Sequence, residues 1–268
     1  MLPETMPVCP VRGSVIYPTM VMPIDAGRPI SIRAIDEALA RDRVLLIVSQ
    51  RDKEVETPRP SDLFEVGTAC NILKMRKNPD GSVQVLVQAF ARVRVREWLD
   101  LGDHLEARGE VLADAPGEPI LVKALVREVK DKFQALLKEG KYLAPEVAQF
   151  ILNLEDPSQL ADYVAFHMDF RLEDKQKVLE TANVAERLRA VLVLLEAELA
   201  LIETQRRIQQ QVKEEIDRNQ REYFLREQMK AIQKELGELD DAPNELEELG
   251  EKIEKAGLSK EAKTKASA

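Results

Sequence analysis

Lys77-Asn78-Pro79-Asp80-Gly81-Ser82-Val83-Gln84-Val85-Leu86-Val87-Gln88-Ala89 is the stretch that decides the fold class of the first part of the chain. Its opening is turn chemistry: proline presets φ, aspartate bonds its own backbone, and glycine tolerates the left-handed region. Beyond the turn, Val83, Val85 and Val87 alternate with Gln84, Leu86 and Gln88, the period of a strand with one buried face. Val66 to Arg76 supplies the other arm of a hairpin. Arg92-Val93-Arg94-Val95-Arg96 alternates as well and predicts a further strand with its three arginines on one solvated face.

Working outward, Val44-Leu45-Leu46-Ile47-Val48 is a short apolar run of buried-strand type, and His104 to Leu112 reads as one more strand. One helix interrupts them: between Ile30 and Arg41, Ile30, Ala34, Ile35, Ala38 and Leu39 fall on one side at helical spacing. A β-rich unit with a single helix fits a small barrel or sandwich better than a parallel α/β sheet. Ala115-Pro116-Gly117 breaks the pattern and bounds a first domain, 1–115. Helices follow over 118–182. Leu121, Leu125, Val129, Phe133 and Leu136 form one stripe, Pro145 suits a first helical position, and Asp156-Pro157 caps a helix over Ser158 to Met168. Glu173 to Glu180 is a further short helix.

Asn183 with Glu186 is a capping pair opening one very long helix, 183–237. Val184 to Leu236 holds no glycine or proline, and Gly237 stands as a stop, which gives a length of about 80 Å. Leu188, Val191, Leu192, Leu195, Leu199 and Ile202 pack its first third on the preceding helices. Beyond them Ile208, Val212 and Ile216 stand nearly alone among polar residues, so this part projects or pairs through a thin coiled-coil-like seam. Tyr223, Phe224, Leu225, Met229 and Ile232 restore apolar character, and Tyr223, Phe224 and Met229 are expected at a subunit or domain contact. Residues 238–268 read as a linker. The class is α+β: a β-rich head with one helix, a helical bundle, and a long projecting helix.

The 268 residues are 44% hydrophobic and 32% charged with net charge −9, which argues against a general nucleic-acid or anionic-membrane binder. Two cysteines, Cys9 and Cys70, and two histidines, His104 and His167, are too few and too scattered for a zinc site or a disulfide framework. Both cysteines read as buried thiols of a reducing compartment. The N-terminus has no signal-peptide pattern and no stretch has the length of a membrane span, so a cytoplasmic location is expected. Gly140-Lys141 is followed by Tyr142, not by a magnesium-binding hydroxyl, and no Gly-x-Ser-x-Gly occurs. A non-catalytic chain without catalytic, cofactor or metal residues of its own is expected.

The candidate binding residues lie in Tyr17-Pro18-Thr19-Met20-Val21-Met22-Pro23, an apolar loop or edge strand. Pro18, Met20, Met22 and Pro23, extended by Leu73 and Met75 on one strand face, would form an adaptable apolar patch, since methionine re-packs against varied partners. The alternative is that they are core.

Pro10-Val11-Arg12-Gly13-Ser14-Val15, Pro18 to Pro23 and Gly27-Arg28-Pro29-Ile30-Ser31-Ile32-Arg33-Ala34-Ile35 resemble the N-terminus of bacterial Lon proteases. Val66-Gly67-Thr68-Ala69, Gln159-Leu160-Ala161-Asp162 and, most specifically, Gln220 to Glu238 continue the resemblance along essentially the whole chain. It implies a PUA-like barrel in the head and the N-terminal part of a hexameric ATP-dependent serine endopeptidase. ATP and magnesium would bind an ATPase domain, and a serine–lysine dyad would lie in a protease domain, beyond Ala268. Its implied role is capture of unfolded or damaged proteins and self-association. A pure spacer and, on the PUA-like likeness with the Arg92–Arg96 stripe, nucleic-acid binding are the other readings.

Overall fold

The computed structural model describes residues 2–140 and 143–236. Gly237 and the expected linker 238–268 lie outside the described residues. By internal contacts the chain divides into two units, Met1–Ile202 and Glu203–Ala268.

The first unit begins with β1 (Met6–Val11), β2 (Val21–Ala26), α1 (Pro29–Ala40), β3 (Val44–Ser49), β4 (Val66–Lys77), β5 (Val83–Asp100) and β6 (Leu105–Val111). They form one mixed sheet ordered β2-β5-β4-β3-β1-β6, and β6 also pairs with the far half of β5. The barrel expected from the sequence is corrected to a rolled sheet that is not a fully closed barrel: β5, β4, β3, β1 and β6 roll around on themselves, and β2 lies outside that roll as an edge strand, paired among the described residues with β5 alone.

The expected hairpin is present, but the two strands read separately over Ser82–Ala89 and Arg92–Arg96 are one strand, β5. What interrupts the alternation is a bulge. Ala69 faces Ala91 while Cys70 faces Ala89, leaving Phe90 as the extra residue. This bulge divides the hairpin between two cores. Val83, Val85, Val87, Cys70 and Ile72 pack with Ala34 and Ile35 of α1, whereas Ala69, Val93 and Val95 pack inside the roll with Met6, Val8, Leu46 and Leu105. β3 serves both, with Leu45 and Ile47 on one face and Leu46 and Val48 on the other.

β1 and β2 were not resolved as strands by sequence pattern because Pro7, Pro10 and Pro23 demote them. β1 tolerates its prolines because its partners overlap only at Val8: Met6–Val8 pair with β6 and Val8–Val11 with β3. Gly67 is needed where β4 passes β3, since an added Cβ would lie 2.5 Å from the Ile47 carbonyl oxygen.

Then come α2 (Pro119–Lys138), α3 (Pro145–Asn153), α4 (Pro157–His167), α5 (Leu172–Glu180) and α6 (Val184–Glu235). The α2 stripe is buried from Leu125 to Leu136, and Asp156 caps α4 by accepting from the Ser158 and Gln159 amides. Asn183 likewise accepts from the Glu186 amide at 3.1 Å. Val184, Leu188, Val191 and Leu195 of α6 join this core, and so do Val15, Tyr17, Met20 and Val66 from the head. Two hydrogen bonds reinforce that junction: Tyr17 Oη donates to the Lys175 carbonyl at 2.8 Å, and Gln176 Nε2 to the Val66 carbonyl at 2.8 Å.

The arginine stripe is corrected at its first member. Arg96 is exposed and bonded to Glu110, but Arg92 is buried and donates to both carboxylate oxygens of Asp162 on α4, at 2.5 and 2.6 Å. Its other terminal nitrogen reaches Asp114 at 3.2 Å. Arg187 of α6, also fully buried, donates to Asp114 at 2.6 Å and to the Ser158 hydroxyl at 2.7 Å. Two cations thus meet two carboxylates from four separate segments. Removing one member strands a buried charge, so Asp162→Asn should lower stability by about 3–5 kcal/mol in urea unfolding. The double replacement Arg92→Met with Asp162→Leu should recover most of that loss.

Candidate functional site

The six residues expected to form the head's apolar patch do not share one surface. Thr19 takes φ 69°, a left-handed conformation unfavourable for a β-branched residue, and this kinks the chain between Pro18 and Met20. Pro18 is buried, and Met20, 4% exposed, belongs to the core shared with the helices. Met22 is half-buried against the core under α1. Pro23 is exposed.

Leu73 and Met75 are both exposed, at 42% and 37%, but a second bulge separates their faces. Ile72 faces Val87 and Met75 faces Val85, both inward-directed valines, while Leu73 and Lys74 together oppose Leu86. Leu73 therefore belongs to the outer face of the β2–β5–β4 ribbon, and Met75 lies at the rim of its inner face.

Two residues missed by the sequence reading complete the outer face: Val21, 54% exposed, and Phe90, 38% exposed. Alternation in β2 carries a signal for Val21, because Val21, Pro23 and Asp25 are more exposed than Met22, Ile24 and Ala26. Phe90 continues the alternation of Gln84, Leu86 and Gln88, so the period of β5 carries a signal for it as well. The resulting surface sets Val21, Pro23, Leu73 and Phe90 beside half-buried Leu86, with exposed Gln88, between Val21 and half-buried Asn71, and Asn71 itself as its polar members. The same ribbon carries Asp25, which accepts from Gln84 Nε2 at 2.8 Å, and Lys74 and Arg76 on β4.

A cavity of about 670 Å³ lies instead beside α1, lined by Arg28, Ile30, Arg33, Asp36 and Asp103 among others. Its arginines are already engaged: Arg33 donates to Asp103 at 2.9 Å and Arg28 to the Pro10 carbonyl at 2.6 Å. Cys9 and Cys70 are buried, and burial pushes the Cys9 thiol up to about 11, so neither has the character of a nucleophile. No helix among the described residues is long and apolar enough to cross a membrane.

On α6, Ile208, Val212, Ile216, Tyr223, Phe224 and Met229 are all exposed. They form a sparse apolar series on an otherwise polar helix.

A family model described as the ATP-dependent protease La (LON) substrate-binding domain matches residues 5–197. The chain is 93% identical over 259 residues to Lon protease 2 of Thermus thermophilus, covering 96% of this chain and 32% of that protein. It is 44% identical over 262 residues to Lon protease of Escherichia coli, covering 98% and 33%. The solved N terminal domain of Mycobacterium avium complex Lon protease superposes with a TM-score of 0.60 at 26% identity, over 72% of this chain and 98% of that one. The chain spans about a third of the length of the curated relatives it matches.

Stability separates the core members of the head from its surface members. Met20→Asp should cost several kcal/mol or abolish folding, because it places an unpaired carboxylate in the shared core. Leu73→Asp should change stability by no more than about 0.5 kcal/mol. Thermal unfolding of both variants checks the contrast.

Proposed function

This chain belongs to the Lon substrate-binding domain family, and from that premise we propose that its head holds unfolded or damaged polypeptides on the outer face of the β2–β5–β4 ribbon. ATPase and protease parts of a longer protein would then degrade what is held. The observation that carries the reading is the exposure of Val21, Pro23, Leu73 and Phe90 on one face of the β2–β5–β4 ribbon, whose opposite face is packed against α1. An unfolded chain differs from a native one by displaying apolar segments. A shallow face without a deep pocket accepts many such segments weakly. Burying roughly 100 Å² of apolar surface there is worth only about 2.5 kcal/mol before ordering costs, which suits capture and release.

The exposed series on α6 supports a second role, self-association. Ile208, Val212 and Ile216 recur every four residues, so they drift around the helix by about 40° per step and make a narrow strip. Such a strip suits a helix–helix seam and not burial in a globular core. Repeated weak sites on an assembly would gain avidity through effective concentration.

The test uses a reduced, carboxymethylated protein and its native form as paired ligands. The unfolded form should bind and the native form should not. Leu73→Asp combined with Val21→Asp should weaken binding at least about tenfold, a change of about 1.4 kcal/mol. Equal binding of folded and unfolded ligands would sink the reading. For association, Val212→Asp with Ile216→Asp should lower the mass seen by sedimentation velocity and weaken binding of the long unfolded protein, while leaving binding of a short peptide by a single head unchanged.

A further inference from the structure

The backbone of β2 suggests how such a segment is held. The Ala89 amide donates to the Met20 carbonyl at 2.8 Å, and the register continues through Met22–Val87, Ile24–Val85 and Ala26–Val83. In an antiparallel pair, alternate residues turn their N–H and C=O groups towards the neighbouring strand. Met22, Ile24 and Ala26 therefore bond β5, and Val21, Pro23 and Asp25 turn theirs away. Among the described residues no strand lies on that side. The groups left open are the amides of Val21 and Asp25 and the carbonyls of Val21, Pro23 and Asp25.

We infer that this edge takes an extended segment of an unfolded polypeptide as an added strand. The inference rests on the proposed function and deepens it, because it names the conformation in which substrate is held. Backbone groups are common to every polypeptide, so pairing with them gives affinity without demanding one sequence. A native protein keeps most of its backbone groups paired internally and blunts the edges it exposes, so it offers far fewer of them. The side chains beside the edge suit a neutral, apolar segment: Val21 and Pro23 are exposed along it, and its single charge, Asp25, is engaged by Gln84. A second copy of β2 fits less well. Pro23 lacks an amide in the middle of the strand, so two such edges would face each other with a donor missing on both.

The test is amide hydrogen exchange of the full chain with a neutral, end-blocked peptide alternating valine and threonine, alongside its backbone N-methylated counterpart. On binding, the Val21 and Asp25 amides should exchange at least about tenfold more slowly, while those of Met22, Ile24 and Ala26, already bonded, should not change. The methylated peptide should bind at least about tenfold more weakly. Equal affinity for both peptides with no protection at Val21 and Asp25 would overturn the added strand and leave the apolar-surface reading standing. If neither peptide nor the unfolded protein binds, both readings fall.

Discussion

Burying Arg92 against Asp162 takes two charges out of water, and the arrangement of the first unit follows from the need to keep them together. Arg92 comes from β5, Asp114 from the segment leaving β6, Asp162 from α4 and Arg187 from α6. Burial pushes Asp162 up to about 6 against the pull of Arg92 and Arg187, so near neutral pH its carboxylate is ionised. Burial also acts to raise Asp114, but hydrogen bonds from Arg187 and Ser158 outweigh it and hold that carboxyl below its usual range. The set is balanced in charge, and its net contribution to stability is small because desolvation offsets attraction. Its effect is on geometry: an arrangement that separates any one segment leaves an uncompensated charge in a low-dielectric interior.

That constraint decides which surfaces remain available. With α4 and α6 fixed against the head, Tyr17, Met20 and Val66 are committed to the helical core. The inner face of the distal hairpin is committed to α1, and the interior of the roll to itself. These cores leave Val21, Leu73 and Phe90 exposed on the outer face of the β2–β5–β4 ribbon, and the open edge of β2 borders it. Both features sit on a sheet braced from behind by α1, so neither surface must be ordered when a segment arrives. A preorganised surface spends less of its interaction energy on ordering.

Much of this was legible in the sequence, and what was not has identifiable causes. Val83, Val85 and Val87 gave the buried face of β5 because alternation reports burial directly. Asn183 and Glu186 marked the start of α6 because a cap is a local hydrogen bond. Arg92 could not be told from Arg96, since its partner Asp162 lies 70 residues away and alternation carries no record of it. Leu73 and Met75 read as neighbours on one face because a bulge adds a residue without changing composition. Met20 and Met22 look equivalent in sequence, yet a left-handed turn at Thr19 precedes them and they pack into different cores. Local chemistry was readable; irregularities and long-range pairs were not.

The modest size of the β2 edge bears on why a long, largely exposed helix accompanies it. Six residues offer two free amides and three free carbonyls, and a net hydrogen bond contributes only about 1 kcal/mol. A single head should therefore hold a substrate weakly and release it readily. Weak holding becomes useful when several heads meet the same chain, because the second contact is then intramolecular. α6 runs for 52 residues, about 78 Å, and the seam proposed along its exposed apolar strip would let copies of the chain associate. On this reasoning affinity resides in number and selectivity in the edge, so lengthening β2 or removing Pro23 would tighten binding while weakening the protection against edge-to-edge pairing that the proline provides.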